Sequence, residues 1–328
     1  MQDRYAGDVG DYGKIALLRS IRSKGLTIGV NWYRVTNLNV EIDKAGNYKQ
    51  ADGKYYHIPE NLAACDPGLA HQLSQIACSE DRSVNALEKA DFIADAVYYN
   101  APVSDSERLE WHNQALDKLS NPDVVFLDPD NGLEVKSVGR RSERSSKYAF
   151  YCEVNDYLHR GQSVVVYNHR SRKKEYDYFR DLDEKLQKRT GISEDKLLRI
   201  VFPKFSIRDY FALPATEEHF DRILDAFLDI EQSIWGKTGM CRFQYPIWQY
   251  IRTEDDERFV DIDCEMPIGD MTFEKFKEGI HRYLMLVWHY SSESAYSLMR
   301  ISARFVEEAF EEKMSISGAG VEVGYQCG

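Results

Sequence analysis

Short apolar runs alternate with stretches of helical periodicity over about residues 1–240. This alternation is typical of β-α-β units, and it predicts an α/β fold with a mostly parallel sheet. The predicted strands are Thr27–Tyr33, Val97–Tyr99, Asp123–Leu127, Ser163–Tyr167, Leu197–Phe202 and Asp209–Leu213. Because only a short polar link joins the last two strands, we expect them to form an antiparallel hairpin at the edge of the sheet.

Capping residues predict where two of the helices begin. Asp11 has the side chain of an N-cap residue, and it precedes a helical pattern that runs to about Lys24. Ser104 and Glu107 have the spacing of a capping box, which predicts a helix from this point to about Leu119. We expect both helices to connect strands of the sheet.

The pattern changes after residues 235–239, where two glycines are expected to end a helix. Two long helical patterns follow, at about residues 271–289 and 292–313. The chain is therefore predicted to contain a sheet domain of residues 1–240 and an appended, acidic helical region of residues 241–328.

The composition is that of a folded globular protein, with 43% hydrophobic and 29% charged residues in 328. No apolar run approaches the roughly 20 residues that cross a bilayer, and the start lacks the pattern of a signal peptide. We therefore expect a cytoplasmic protein without a membrane span. The six cysteines are scattered and form no Cys-x-x-Cys pair, which predicts reduced thiols and no zinc site.

Charge is distributed unevenly along a chain whose formal net charge is −12. Residues 246–328 hold 16 acidic and 8 basic side chains, and these helices are expected either to dock a protein partner or to pack their apolar residues in a core. Residues 136–174 instead hold ten Lys or Arg and three acidic residues. This basic island predicts either contact with nucleic-acid phosphates or an ordinary solvated face. Its candidate substrate-binding residues are Arg140, Arg141, Arg170 and Arg172.

Polar segments follow three of the predicted strands. They are Asn31–Arg34, Asp128–Glu134 and Asn168–Arg172. Because the carboxyl ends of parallel strands lie at one edge of a sheet, we expect the three segments to face one crevice.

The second and third segments carry the candidate catalytic residues Asp128, Asp130, Asn131 and His169. His169 is the candidate general acid–base, because an imidazole titrates near neutral pH. The alternative interpretation is structural. In it the acidic segment is an ordinary Pro-Asp-Asn-Gly turn, and His169 ends a strand for local reasons.

A second hypothesis assigns Asp128, Asp130 and Glu134 to a Mg²⁺ site, because hard cations prefer carboxylate oxygens. The protein would then be a Mg²⁺-dependent nuclease in which Lys136 or His169 assists the attacking water. A third hypothesis is a non-catalytic binding or assembly protein whose C-terminal helices dock a partner.

Four features occur together in residues 1–240. They are the segment Ala6-Gly7-Asp8-x-x-Asp11-x-x-Lys14 before a helix, Asp128-Pro129 after a central strand, a valine-rich strand ending at Tyr167-Asn168, and the terminal hairpin. In this combination the chain resembles the bacterial 23S rRNA adenine-N6 methyltransferases. It also resembles a group of bacterial proteins that begin with Met-Gln-Asp-Arg-Tyr-x-Gly-Asp. The resemblance to the methyltransferases implies a Rossmann-like fold, S-adenosylmethionine as cofactor, and an adenine base in RNA or DNA as substrate.

The resemblance also implies roles for individual residues. Asp128-Pro129 matches the start of an Asp-Pro-Pro-Tyr motif, whose carboxylate and backbone carbonyl hold the exocyclic amine of the base while its ring stacks on that base. Asp130 and Asn131 stand where the motif has Pro and Tyr. The glycine-rich loop of the family is also absent after the first strand, where residues 34–39 contain no glycine. These departures favour a repurposed methyltransferase scaffold. The candidate cofactor-binding residues are Lys14, Asp8, Asp11 and Trp32.

Overall fold

The computed structural model divides the chain into two compact units, Met1–Gln244 and Tyr245–Gly328. It describes residues 1–35, 57–104, 106–140, 142, 144–171, 173, 175–193, 196–204, 207–243, 273–287, 292–314 and 316–325. The division lies close to the domain boundary expected after residue 240. No helix among the described residues is both long enough and apolar enough to cross a membrane.

The first unit is built on a seven-stranded sheet. The strands, in chain order, are β1 (Ile28–Asn31), β2 (Val97–Tyr99), β3 (Val124–Leu127), β4 (Gly132–Leu133), β5 (Tyr148–Ala149), β6 (Ser163–His169), β7 (Leu198–Phe202), β8 (Arg208–Leu213) and β9 (Arg242–Phe243). Seven of them lie in the order β2-β1-β3-β6-β8-β7-β9, while β4 and β5 form a separate two-stranded sheet.

The predicted topology is confirmed. Strands β2, β1, β3 and β6 are parallel, and β8 runs antiparallel to both β6 and β7. All six predicted strands are present. The hairpin of β7 and β8 is also present, but the short strand β9, which was not predicted, pairs with β7 on its outer side.

Local sequence explains why β3 and β6 lie at the centre of the sheet. Residues Val124–Leu127 and Val164–Val166 are almost entirely β-branched or aliphatic, and all are buried. Such continuous apolar runs are expected for parallel strands that are covered on both faces.

Nine helices connect and cover these strands within the described residues of the first unit. They are α1 (Val9–Ser23), α2 (Glu60–Ala63), α3 (Pro67–Cys78), α4 (Val84–Lys89), α5 (Arg108–Lys118), α6 (Tyr151–Leu158), α7 (Glu175–Thr190), α8 (Glu217–Gln232) and α9 (Ile234–Lys237). Helix α1 packs against α3 and α8, and α6 packs against α5 and α7.

Two predicted helix starts are wrong by a few residues. Helix α1 is capped by Asp8, whose carboxylate accepts hydrogen bonds from the backbone N–H groups of Gly10 and Asp11. Helix α5 begins only at Arg108, because the Ser104 hydroxyl accepts from the N–H of Glu107, which is itself the residue before the helix. For α1 the capping residue lies one turn before the predicted one, whereas for α5 the predicted hydrogen bond is present but the helix begins only after it.

The second unit is a helical cluster, as expected. Its described helices are α10 (Phe273–Val287), α11 (Ser292–Ile301), α12 (Ala303–Glu311) and α13 (Ile316–Tyr325). The prediction of a single helix over residues 292–313 is wrong, since the helix is interrupted at Ser302. The break allows α12 to bury Val306 and Ala309 in the shared core, whereas Ile301 at the end of α11 is 72% exposed.

Replacing Phe126 by Ala should lower the free energy of unfolding of the sheet unit by about 3 to 5 kcal/mol. The Phe126 side chain is fully buried in β3, with its ring 6.0 Å from that of Tyr210, so truncation leaves a cavity. Leu109→Ala is the control, because Leu109 is 74% exposed, and it should change the value by less than about 0.5 kcal/mol. Urea denaturation followed by circular dichroism measures both, and equal losses would contradict this assignment of the core.

Candidate active site

The three segments that were predicted to face one crevice lie at the carboxyl edge of the sheet, where the backbone N–H of Asp128 donates to the carbonyl oxygen of Asn31 at 3.0 Å. Lys14 on α1 places its ammonium group 2.8 Å from Asp11 Oδ1 and 2.7 Å from Asp128 Oδ2. The backbone N–H of His169, at the end of β6, donates to the carbonyl oxygen of Asn131 at 3.3 Å. Helix α1, the turn after β3 and the end of β6 therefore border the same site.

The cluster of Lys14, Asp11 and Asp128 is buried. Burial alone would lower the pKa of Lys14, but the two carboxylates outweigh it and hold that pKa above its usual value. Burial raises the pKa of Asp128, although the ammonium group of Lys14 acts in the opposite direction. Desolvated charges are expensive, and their concentration at the edge of a crevice is typical of functional sites.

The amino-terminal residues lie between the ends of β1 and β3. The amino group of Met1 forms an ion pair of 2.9 Å with Asp130, which also accepts a hydrogen bond from the Gln2 amide. Burial would raise the pKa of Asp130, but the Met1 amino group outweighs it and the pKa is lowered. The same amino group donates to three carbonyl oxygens at 2.9 to 3.0 Å, those of Trp32, Tyr33 and Asp128. Oxygen atoms that can hold an ammonium group thus converge here.

Trp32 is buried beside this cluster. Its indole N–H donates to Glu88 at 2.9 Å, and its ring stacks on Tyr98 with the centroids 6.2 Å apart. The ammonium group of Lys14 lies 5.3 Å from the Trp32 ring centroid. Trp32 therefore supports the buried lysine by a cation–π contact.

Asp8 lies next to this cluster, on the amino-terminal turn of α1. Burial, and then the neighbouring carboxylate of Asp11, raise the pKa of Asp8 from 3.8 to about 6. The guanidinium of Arg208, on β8, also lies here. A Cβ atom at Gly10 would be only 2.9 Å from Arg208 Nε, so the glycine makes room for this arginine. Arg208 was not predicted as a site residue.

The turn after β3 is held by a side chain from β6. The Asn168 Oδ1 atom accepts from the backbone N–H of Leu133 at 2.8 Å, and Asn168 Nδ2 donates to the Tyr178 hydroxyl at 2.6 Å. Gly132 has a φ of +105°, and its α-carbon faces Asn168 directly. Asn168 and Tyr178 are positioning residues: Asn168 lay in a predicted polar segment without an assigned role, and Tyr178 was not predicted as a site residue.

His169 is exposed on one side and contacts protein on the other. Its Nδ1 atom lies 3.4 Å from the Tyr167 hydroxyl. Partial burial, and then the nearby Arg208 guanidinium, lower the pKa of His169. The imidazole is therefore largely neutral near pH 7 and suited to accepting a proton.

The structure does not bring the three predicted metal ligands together. Asp128 faces Lys14 and Asp130 faces the Met1 amino group, whereas Glu134 pairs with Arg189 at 2.9 Å. Within the described parts of the chain, no group of three or more His, Cys, Asp or Glu side chains is arranged to hold a metal ion.

The predicted phosphate-binding arginines have different environments. The prediction that Arg170 binds phosphate is wrong, because its side chain is buried against Asp209, with an Nε to Oδ2 distance of 3.0 Å. The guanidinium also packs 4.9 Å from the Phe179 ring centroid. Its role is structural. Arg140 is exposed and contacts Cys152. Arg141 and Arg172 lie outside the described residues.

A second buried ionic network was not predicted from the sequence. Arg108 on α5 donates to Glu153 at 2.6 Å and to the carbonyl oxygens of Ser145 and Tyr148 at 2.7 and 2.6 Å. Glu153 also accepts from the hydroxyl of Tyr33 at 3.0 Å. This network joins the segment after β1 to the insertion between β4 and β5.

Replacing Gly132 by Ala should lower the free energy of unfolding by about 2 to 3 kcal/mol. The φ of +105° disfavours a side chain, and the new Cβ would lie 2.1 Å from Oδ1 and 2.8 Å from Cα of Asn168. Gly139→Ala is the matched control. No described heavy atom lies within 4 Å of its added Cβ, so a change below about 0.5 kcal/mol is expected. Chemical denaturation measures both variants, and a similar effect of the two would refute the close packing of the turn.

Replacing Asp8 by Asn should flatten the pH dependence of stability between about pH 4 and 6. The raised pKa means that the folded protein binds a proton more tightly at Asp8, and this stabilisation is lost as the pH rises from 3.8 through about 6. Asn keeps the capping oxygen and does not titrate. The variant should therefore be more stable than the wild type at pH 8, by about 2 kcal/mol, and similar to it near pH 4. If the free energy of unfolding of the two proteins changed equally with pH across this range, the raised pKa of Asp8 would be contradicted.

Comparisons of the chain with protein-family models, with curated proteins and with solved structures found no match. The central features of the site are a buried ammonium group between two carboxylates, converging carbonyl oxygens, and a neutral imidazole at the same edge of the sheet.

Proposed function

We propose that the unit Met1–Gln244 is a nucleic-acid-modifying enzyme on a methyltransferase-like scaffold, which transfers a methyl group from S-adenosylmethionine to a base. The observation that carries the proposal is the buried ammonium group of Lys14, held between Asp11 and Asp128 at the carboxyl ends of the parallel strands. Ligands of open α/β sheets bind at this edge. Buried charges that are already oriented stabilise a reacting group without further reorganisation.

The position of Asp128 supports transfer to an amine. Asp128 follows β3, where the resemblance to adenine-N6 methyltransferases puts the acidic residue that holds the exocyclic amine of the base. Its backbone carbonyl oxygen accepts a hydrogen bond of 2.9 Å from a primary amino group, that of Met1. The same atom has the geometry to accept from the amine of a base.

Carbonyl oxygens at the end of β1 match one part of the proposed cofactor. The carbonyl oxygens of Trp32 and Tyr33 suit the ammonium group of the methionine part of S-adenosylmethionine, which supplies an electrophilic methyl group when bound. Met1 uses these oxygens in this structure. Binding of the cofactor therefore requires the amino-terminal residues to shift.

Methylation of an amine releases a proton, and His169 is suited to accept it. The imidazole has a lowered pKa, and the His169 backbone is hydrogen-bonded to Asn131 in the turn that Asp128 begins. Asn131 replaces the aromatic residue of the Asp-Pro-Pro-Tyr motif. A base must therefore be held here by hydrogen bonds to the turn without stacking on that ring.

The two other hypotheses stay predictions. A Mg²⁺-dependent nuclease gains no support from Asp128, Asp130 and Glu134, since each carboxylate already faces a different cation. A binding protein that acts through its acidic C-terminal region would lose its partner on removal of residues 246–328.

The proposal is tested by calorimetry and by transfer of labelled methyl groups from S-adenosylmethionine to RNA or DNA oligonucleotides. We expect the wild-type protein to bind the cofactor. Asp128→Asn should lower the transfer rate by about 10²- to 10³-fold, because the carboxylate that orients the amine is neutralised. Asp117→Asn, at an exposed position on α5, is the control and should leave the rate unchanged.

Absence of both binding heat and thermal stabilisation at millimolar S-adenosylmethionine would exclude the methyltransferase function. Transfer that survives Asp128→Asn at the wild-type rate would exclude the role of Asp128. Circular dichroism of the variant separates loss of activity from loss of folding.

A further inference from the structure

The insertion between β4 and β5 carries a group of cations beside the candidate active site. Its basic residues that the structure describes are Lys136, Arg140, Arg144 and Lys147, of which the first three are exposed and the last is partly exposed. None of these four forms an ion pair with a carboxylate of the described residues, whereas Arg170 is buried against Asp209. The insertion thus holds four accessible cations of the basic island.

The two described carboxylates at the ends of the insertion form ion pairs with arginines that lie outside it. Glu134, at its start, pairs with Arg189, and Glu153, just after it, pairs with Arg108. The charges of the insertion are therefore not cancelled by these neighbours. A surface of this kind attracts anions although the protein as a whole is acidic.

The insertion is anchored beside the turn that contains Asp128. The backbone N–H of Asn131 donates to the carbonyl oxygen of Lys147 at 2.9 Å, and Gly132 pairs with Tyr148 between β4 and β5. Arg108 holds the carbonyl oxygens of Ser145 and Tyr148 from inside. An anion bound on the insertion is consequently held close to the turn.

We propose that Lys136, Arg140, Arg144 and Lys147 form a docking surface for the phosphate backbone of single-stranded nucleic acid. The cations are distributed along a surface segment and are solvent-accessible, which suits a polymer of phosphates better than one small enclosed anion. A single strand is favoured because the buried Asp128 is reached only by a base that is not stacked within a duplex. The role of this surface in presenting a base rests on the proposed function.

The test is fluorescence anisotropy with fluorescein-labelled 20-nucleotide RNA and DNA of mixed sequence. A triple variant of the full chain, Lys136→Glu with Arg140→Glu and Arg144→Glu, should bind at least about tenfold more weakly. The slope of log affinity against log salt should also become shallower by about 2, because roughly 0.7 is lost for each phosphate contact with a single strand.

The control is a second triple variant, Lys89→Glu with Lys118→Glu and Lys185→Glu, which changes the net charge equally at exposed positions elsewhere in the same unit. It should keep the affinity and the salt slope of the wild type. Equal weakening of both triple variants, absence of oligonucleotide binding by the wild type, or stronger binding to phosphatidylserine vesicles than to oligonucleotides would overturn the inference. Calorimetry with S-adenosylmethionine reports on the proposed function separately, so failure of one leaves the other measurable.

Discussion

The ammonium group of Lys14 is the interaction on which the arrangement of this site depends. It joins α1 to the end of β3 by lying between Asp11 and Asp128 in a buried environment. Without a cation there, two carboxylates would repel each other where little water can screen them. The Trp32 ring packs against this ammonium group. Asp8 caps α1, the helix that carries both Asp11 and Lys14.

The sheet could be predicted from the sequence because each strand is marked by its own run of apolar residues. The apolar runs of β3 and β6 are continuous, and so they indicate buried parallel strands without knowledge of their partners. Helix ends were predicted less well. Asp8 and Asp11 are equally good caps by residue type, and only the folded backbone shows that Asp8 accepts the capping hydrogen bonds. The break at Ser302 likewise depends on which residues the second unit buries.

The position of the candidate site could be predicted, but the pairing of its charges could not. Parallel strands bring Asp128 and His169 to the same edge by topology alone. By contrast, Glu134 meets Arg189 across 55 residues and Arg170 meets Asp209 across 39 residues. The first pair depends on the position of α7, which carries Arg189, and the second on the pairing of β6 with β8. A charged residue near a strand end therefore indicates a site, while its partner decides whether it faces a ligand or stabilises the core.

The isolated basic insertion gives this acidic protein a preferred direction of encounter. A polyanion at long range meets the repulsion of a net charge of −12, whereas within a Debye length of about 8 Å it experiences the local cations instead. Added salt would weaken both effects, so the association rate constant reflects their balance and need not fall steadily with ionic strength. Collisions of the polyanion with the acidic remainder of the surface are then short-lived. The polyanion is therefore oriented towards the basic insertion before contact.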